Sequence, residues 1–193
     1  MPPTFACFDV ETTSLDANAG HIIEIAVVRI TAEGEVLSEW CSLVDAGTSI
    51  MGRPDIHGIS VSMLTGAPTF AEIAGDLAEL FNGCVPVAHN ASFDVKFVST
   101  EWERANLGPL PLDALDTLDM ARRQGRPGRL GALAESLGVP LVDAHQALDD
   151  TRALAGVLVE LLKDHEPSKP FPVFSPPLFT PAPTGKVWLR PSA

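Results

Sequence analysis

The stretch "TFACFDVETT", residues 4–13, has the composition of a buried β-strand, interrupted by Asp9 and Glu11. Side chains alternate faces along a strand, so Asp9 and Glu11 project together while Phe8 and Val10 occupy the other face. Two carboxylates that close repel one another, and burial raises the cost. The pair must be solvated, share a proton or hold a cation. On this stretch alone, a solvated surface pair and a cation site are both open.

Outward from it, "HIIEIAVVRI" (21–30) and "VLSEWCSLV" (36–44) are two more β-rich runs, joined by short turns carrying Asn18-Ala19-Gly20 and Glu33-Gly34-Glu35. Three such runs predict an antiparallel meander. "TFAEIAGDLAELF" (69–81) opens with Thr69 and Glu72 at capping-box spacing and continues with helical periodicity. "CVPVAHN" (84–90) reads as a buried strand before a helical "SFDVKFVSTEWERA", and "LDALDT" (112–117) as a further strand before helical segments at 118–123 and 130–137. Strands alternating with helices after a meander predict an α/β fold, a mixed sheet with helices packed on it.

A last helix is predicted from near Ala144 to about Asp164, with Asp143 and Gln146 at capping-box-like spacing. At about 100° per residue, its buried stripe is Ala144, Ala147, Leu148, Ala155, Leu158 and Leu162. Asp149 falls on the polar face with Arg152, Glu160 and Lys163. Asp150 falls with Leu154, Val157 and Leu161 at the flank of the core, so Asp150 is the acid whose burial needs explaining. From Glu166 onward, 8 of the 17 prolines crowd into 28 residues without helical or strand period. The expected organisation is therefore one domain over 1–165 and a Pro-rich tail over 166–193, in which Phe171, Phe174, Phe179 and Trp188 anchor on the domain's own surface or on a partner.

The chain has 193 residues, enough for one α/β domain with a full core. It shows no signal-peptide pattern and no apolar run near roughly 20 residues, so a soluble, cytoplasmic protein without membrane association is expected. Cys7, Cys41 and Cys84 sit in apolar, strand-like contexts and are odd in number, which fits reduced thiols. A formal net charge of −12, taken alone, argues against a protein that coats long nucleic acid through a basic face. It does not exclude an enzyme that grips a few nucleotides, because bound divalent cations reverse the local electrostatics. Arg122, Arg123, Arg126 and Arg129 form one basic loop, either solvated or in contact with phosphate.

Two further acids and a histidine stand where such a fold can bring residues together: Asp94 in "AHNASFD" at a helix start, and Asp150 with His145 five residues before it. Oxygen-only ligation suits Mg²⁺ or Mn²⁺, and two such ions about 4 Å apart serve phosphoryl displacement by water. A histidine of ordinary pKa, ~6.5, suits the general base that deprotonates that water.

At these residues the chain resembles a known family. "FDVETT", "HNASFD" and "HQALDD" are similar to the three motifs of the DEDD exonuclease superfamily, in its histidine-containing branch, which includes the proofreading epsilon subunit of bacterial DNA polymerase III. The sister branch uses a tyrosine, and this chain has none. The resemblance spans about residues 4–163. It implies a ribonuclease-H-like fold and 3′→5′ hydrolysis at a single-stranded or frayed nucleic-acid 3′ end, releasing nucleoside monophosphates with two divalent ions, Mg²⁺ or Mn²⁺. It further implies Asp9, Glu11, Asp94 and Asp150 as metal ligands and His145 as general base. The spacing of the last motif selects Asp150, as does its helical face.

"DIHGIS" (55–60) resembles the family's loop against the terminal base, so Ile56 and His57 are candidate substrate contacts, with Thr12, Thr13 and Asn90. Ser14 stands where the family usually has glycine. Asp116 reads as supporting rather than ligating. DNA is the expected substrate, and the tail is a candidate tether to a DNA polymerase. The alternatives are an exoribonuclease of the same superfamily, a non-catalytic polymerase-associated binding module, or a two-metal hydrolase of a small phosphoester.

Overall fold

A computed structural model describes residues 2–142, 145–164 and 170–191. Its centre is one five-stranded sheet in the order β3-β2-β1-β4-β5, built from β1 (Thr4–Thr12), β2 (Ile22–Thr31), β3 (Val36–Leu43), β4 (Val85–Ala88) and β5 (Leu115–Asp116). The first three strands form the expected antiparallel meander, while β4 and β5 add in parallel. β1, with its two acids, is therefore the central strand, held by ladders on both sides. The strand expected over 112–117 shrinks to two residues, ending where Asp116, still paired with Ala88, uses its side chain to cap the next helix by accepting Leu118 N–H at 2.9 Å.

Alternation along β1 divides the core. Ala6, Phe8 and Val10 face α2 (Phe70–Phe81) and α3 (Ala91–Arg104), packing with Ile73, Leu77, Phe81, Phe97 and Trp102. Phe5 and Cys7 face the other way, against α4 (Thr117–Arg123), α5 (Leu130–Leu137) and α6 (Ala147–Leu162). Each such large apolar side chain contributes about 1.5–3 kcal/mol when fully buried. Asp9 and Glu11 continue the Phe5–Cys7 row toward the end of the strand, where the N-terminus of α6 arrives. Two short elements lie between sheet and α2: α1 (Pro54–His57) and a 3-10 turn at Val61–Leu64.

α6 starts at Ala147, three residues later than predicted. His145 adopts a left-handed φ of 73°, incompatible with a helical turn, and its N–H donates to the Asp150 carboxylate at 3.0 Å. Asp150, inside the helix, thus fixes the turn that precedes it, while the first N–H of the helix, that of Ala147, goes to Glu24 of β2. Asp143 and Ala144 lie outside the described residues. The buried face is also rotated: Leu154, Val157 and Leu161 are fully buried, at the centre of the interface, whereas Leu148 and Leu162 are only partly covered. Asp149 pairs with Arg152 at the surface, as expected.

Residues 170–191 contain no helix or strand but run over the domain rather than away from it. Phe174 is buried against Phe81 and exchanges backbone hydrogen bonds with Gly83 and Cys84. Phe171 meets Phe5 edge-on. The segment then crosses α2 at Gly75, where a Cβ would come within 2.5 Å of the Pro181 and Ala182 carbonyls. Asp76 accepts the N–H groups of Thr184 and Gly185 and the Thr184 hydroxyl. Trp188 hydrogen-bonds Ser42 and Leu43 of β3 and donates its indole N–H to Met63. Phe179 alone among the four aromatic anchors is largely exposed, at 85%.

All three cysteines are free thiols, Cys7 and Cys84 buried and Cys41 partly so. In the basic loop, Arg123 and Arg126 reach Asp119 and Asp164, while Arg122 and Arg129 are solvated. Among the described residues no helix is long and apolar enough to cross a membrane.

Candidate active site

β1 presents Asp9 and Glu11 on one face, and the first turn of α6 brings Asp150 opposite them. Carboxylate oxygens of the three lie within 4.8 Å of one another. Oxygen ligands sit about 2.0–2.6 Å from Mg²⁺ or Ca²⁺-sized ions, so oxygens at this spacing can share one. Asp94 enters from the first turn of α3, 4% exposed, and accepts the N–H of Val10 between the two strand acids.

The register of β1 with β2 places Glu24 directly across from Glu11. Glu24 is a fifth acid, 2% exposed, and it escaped the sequence analysis. Its signal was present: it is the lone acid inside the apolar run of β2. Its carboxylate accepts the N–H of Ala147 at 3.1 Å and a two-pronged contact from Arg190, at 2.6 and 2.7 Å.

Burial and mutual repulsion dominate the electrostatics. Desolvation, then Asp94, Glu11, Asp150 and Glu24 in that order, push the Asp9 carboxyl well above its ordinary value. Glu11 rises to about 8 through desolvation, Glu24 and Asp150, against a lowering influence of Arg190. Asp94 is raised by burial despite two backbone hydrogen bonds. Asp150 is raised by burial and partly held down by the His145 N–H and side chain. A cluster that penalises its own negative charge in this way fits a site for divalent cations, which remove the penalty.

His145 is exposed beside Asp150, so its ring is accessible to solvent. The other candidates are placed unequally. Ile56 stands exposed on α1. The expected substrate contact by the His57 ring is corrected: it is 3% exposed, donates from Nε2 to Met51 O and accepts Ile59 N–H at Nδ1, so both nitrogens are spent on its own loop. The Thr13 side chain is likewise buried, its hydroxyl accepting His21 N–H, while Thr12 donates to Ser14 O and stays half-exposed. Gly52 packs so tightly on Thr13, with a Cβ position 2.2 Å from its carbonyl, that no side chain fits there.

Ser14 takes no left-handed conformation; its hydroxyl accepts Asp16 N–H. Arg104 holds the rest of that turn through the carbonyls of Ala17, Asn18 and Gly20. Asn90 caps α3 with φ 65°, exposed, its N–H fixed by Asp116. Asp116 thereby ties the end of β4 to α4, the supporting role expected of it.

With this geometry in view, comparisons with known proteins are informative. A family model described as Exonuclease matches residues 6–158, enclosing all three acidic motifs. The chain is 33% identical over 165 residues to a DNA polymerase III PolC-type of Staphylococcus haemolyticus, covering 83% of this chain and 11% of that protein. It is 33% identical over 169 residues to a 3′-5′ exonuclease DinG of Staphylococcus epidermidis, covering 84% of this chain and 18% of that one. The chain thus spans under a fifth of the length of either relative. In fold it is similar to the nuclease domain of 3′hExo, described as a DEDDh family member bound to rAMP, with a TM-score of 0.73 at 19% identity over 84% of this chain and 93% of that one.

Proposed function

The chain belongs to the exonuclease family, and from that premise we propose that it acts as a DEDD-type enzyme that removes nucleotides one at a time from the 3′ end of DNA. The observation that carries this reading is the convergence of Asp9, Glu11 and Asp150 within 4.8 Å, with Asp94 bonded to the strand between the first two. Asp9, Glu11, Asp94 and Asp150 would hold two divalent ions, Mg²⁺ or Mn²⁺. When bound, the pair supplies positive charge to the phosphoryl oxygens and to both the entering and departing oxygens.

His145, exposed on a fixed left-handed turn, takes the proton of the attacking water. That water's oxygen forms a bond to phosphorus as the P–O3′ bond breaks, releasing a nucleoside 5′-monophosphate and leaving a new 3′-hydroxyl. Ile56 and Thr12 stand open for contact with the terminal nucleotide, and Asn90 supports the Asp94 helix. A non-catalytic module would have no use for partly buried, desolvated acids that repel one another.

Similarity to a PolC-type polymerase and to DinG favours DNA, whereas the fold shared with a protein bound to rAMP favours an exoribonuclease as the second reading. Incubating the protein with 3′- and 5′-labelled DNA and RNA oligonucleotides, with Mg²⁺, Mn²⁺ or chelator, tests both. Expected is stepwise shortening of 5′-labelled DNA, immediate mononucleotide release from the 3′ label, and silence with chelator. Shortening of RNA alone selects the second reading, and no hydrolysis refutes both. The exonuclease unit is assigned to 1–165 and the tail to 166–193, a boundary outside the described residues. A polymerase contact by that tail, in a cytoplasmic setting, falls to the exposed Leu178 and Phe179.

A further inference from the structure

We propose that Arg190, far out in the Pro-rich segment, is a positioning residue of the hydrolytic site: one guanidinium ties the segment carrying His145, the loop carrying Ile56 and the strand carrying Glu24 into a single unit. Its Nε and Nη2 donate to the two oxygens of Glu24 at 2.7 and 2.6 Å, and Nη1 donates to His57 O at 2.7 Å. Nη2 also faces His145 O at 3.4 Å. Glu24 in turn accepts Ala147 N–H, the first residue of α6, two positions after His145. The inference rests on the proposed roles of His145 and the Ile56 loop.

The physical reason lies in what Glu24 would be alone. A buried carboxylate without a counter-charge is severely unfavourable, and this one sits across from Glu11, adding negative charge to a cage that already repels itself. Arg190 cancels that fifth charge without occupying a ligand position. A planar fork is the group that can do so while donating to carbonyls on either side. Arg190 is itself delivered by a segment anchored at three earlier points: Phe174 on Phe81, Thr184 and Gly185 on Asp76, and Trp188 on β3. The C-terminal segment is then part of the enzyme's working site rather than an appendage.

The test uses the whole 193-residue chain. Arg190→Gln keeps a donor but loses charge and fork, and kcat on a 5′-labelled oligonucleotide should fall about 10- to 100-fold, as for other groups that orient ligating residues, with circular dichroism unchanged. Arg190→Lys keeps the charge without the fork and should recover only part of that loss. A Glu24→Gln/Arg190→Gln double variant should lose no more than the worse single one, since the two act as one unit.

Amide hydrogen exchange, read without substrate or metal, should quicken at Ala147 and across 55–58 in Arg190→Gln and less in Arg190→Lys. Wild-type kcat and exchange in Arg190→Gln, full recovery in Arg190→Lys, or losses that multiply in the double variant each overturn the assignment. If Arg190→Gln fails to fold, Arg190→Lys carries both readouts alone, and wild-type values in it overturn the assignment. Should the wild-type protein hydrolyse no oligonucleotide, the proposed function fails, while the exchange experiment still decides whether Arg190 clamps the two segments.

Discussion

Asp76 and Asp94 are both buried aspartates on consecutive helices, 8% and 4% exposed, yet their surroundings are opposite. Asp76 receives three donors from Thr184 and Gly185, with both oxygens satisfied. Asp94 has backbone donors too, but its charge acts on Asp9 and Glu11, Asp116 presses on it in turn, and burial raises its proton affinity. A buried carboxylate that the protein itself satisfies is a fastener. One left to repel its neighbours stores a cost that a cation relieves, and that difference separates structural acids from functional ones here.

The comparison can be broken from either side. Asp94→Asn or Asp9→Asn should lower hydrolysis by about 10³-fold or more, several kcal/mol of lost charge stabilisation, while raising the melting temperature of the metal-free protein. A lower melting temperature would make these acids fasteners after all. His145→Ala should slow the reaction by about 10²–10⁴-fold while calorimetry still detects Mn²⁺ binding, separating base from ligand.

The metal-free protein should lose stability as pH rises. Glu11 is raised from its ordinary 4.5 to about 8, so between those values the folded state keeps a proton that the unfolded chain has released. Stability must fall with rising pH across that window. Mn²⁺ at one fixed concentration, set to a hundred times its Kd at the top of that window, should restore about 2.7 kcal/mol there. The gain in thermal melts should be larger at the top of that window than at the bottom, and an equal gain would deny the coupling.

Asp76→Ala strands the donors of Thr184 and Gly185 and should cost about 1–3 kcal/mol in urea denaturation, with metal dependence unchanged. Smallest is Asp149→Ala. It removes one partly exposed ion pair, worth about 0–1 kcal/mol, and should leave hydrolysis at the wild-type rate although Asp150 is its neighbour.

Much of this was legible in local pattern. Period-two alternation found the meander and put Asp9 and Glu11 on one face. Helical spacing found α2, where Glu72 reaches back to Thr69 N–H at 2.9 Å. It also separated Asp149 from Asp150. It misjudged the start of α6, because the left-handed turn at His145 leaves no mark on periodicity, and it centred the buried stripe one row away. His57 was a candidate substrate contact because "DIHGIS" resembles the family's loop against the terminal base; only packing shows both ring nitrogens turned inward.

The sequence by itself determined the order of elements, the central acidic strand and the three motifs, because these depend on neighbours a few residues apart whose spacing repeats. Tertiary structure alone decided that Glu24 stands across from Glu11 and that Arg190, 166 positions later, neutralises it, for such a pairing depends on where two distant backbones end up. A charge in a proline-rich run has no local partner to betray its purpose, and its meaning comes only from the buried acid it meets.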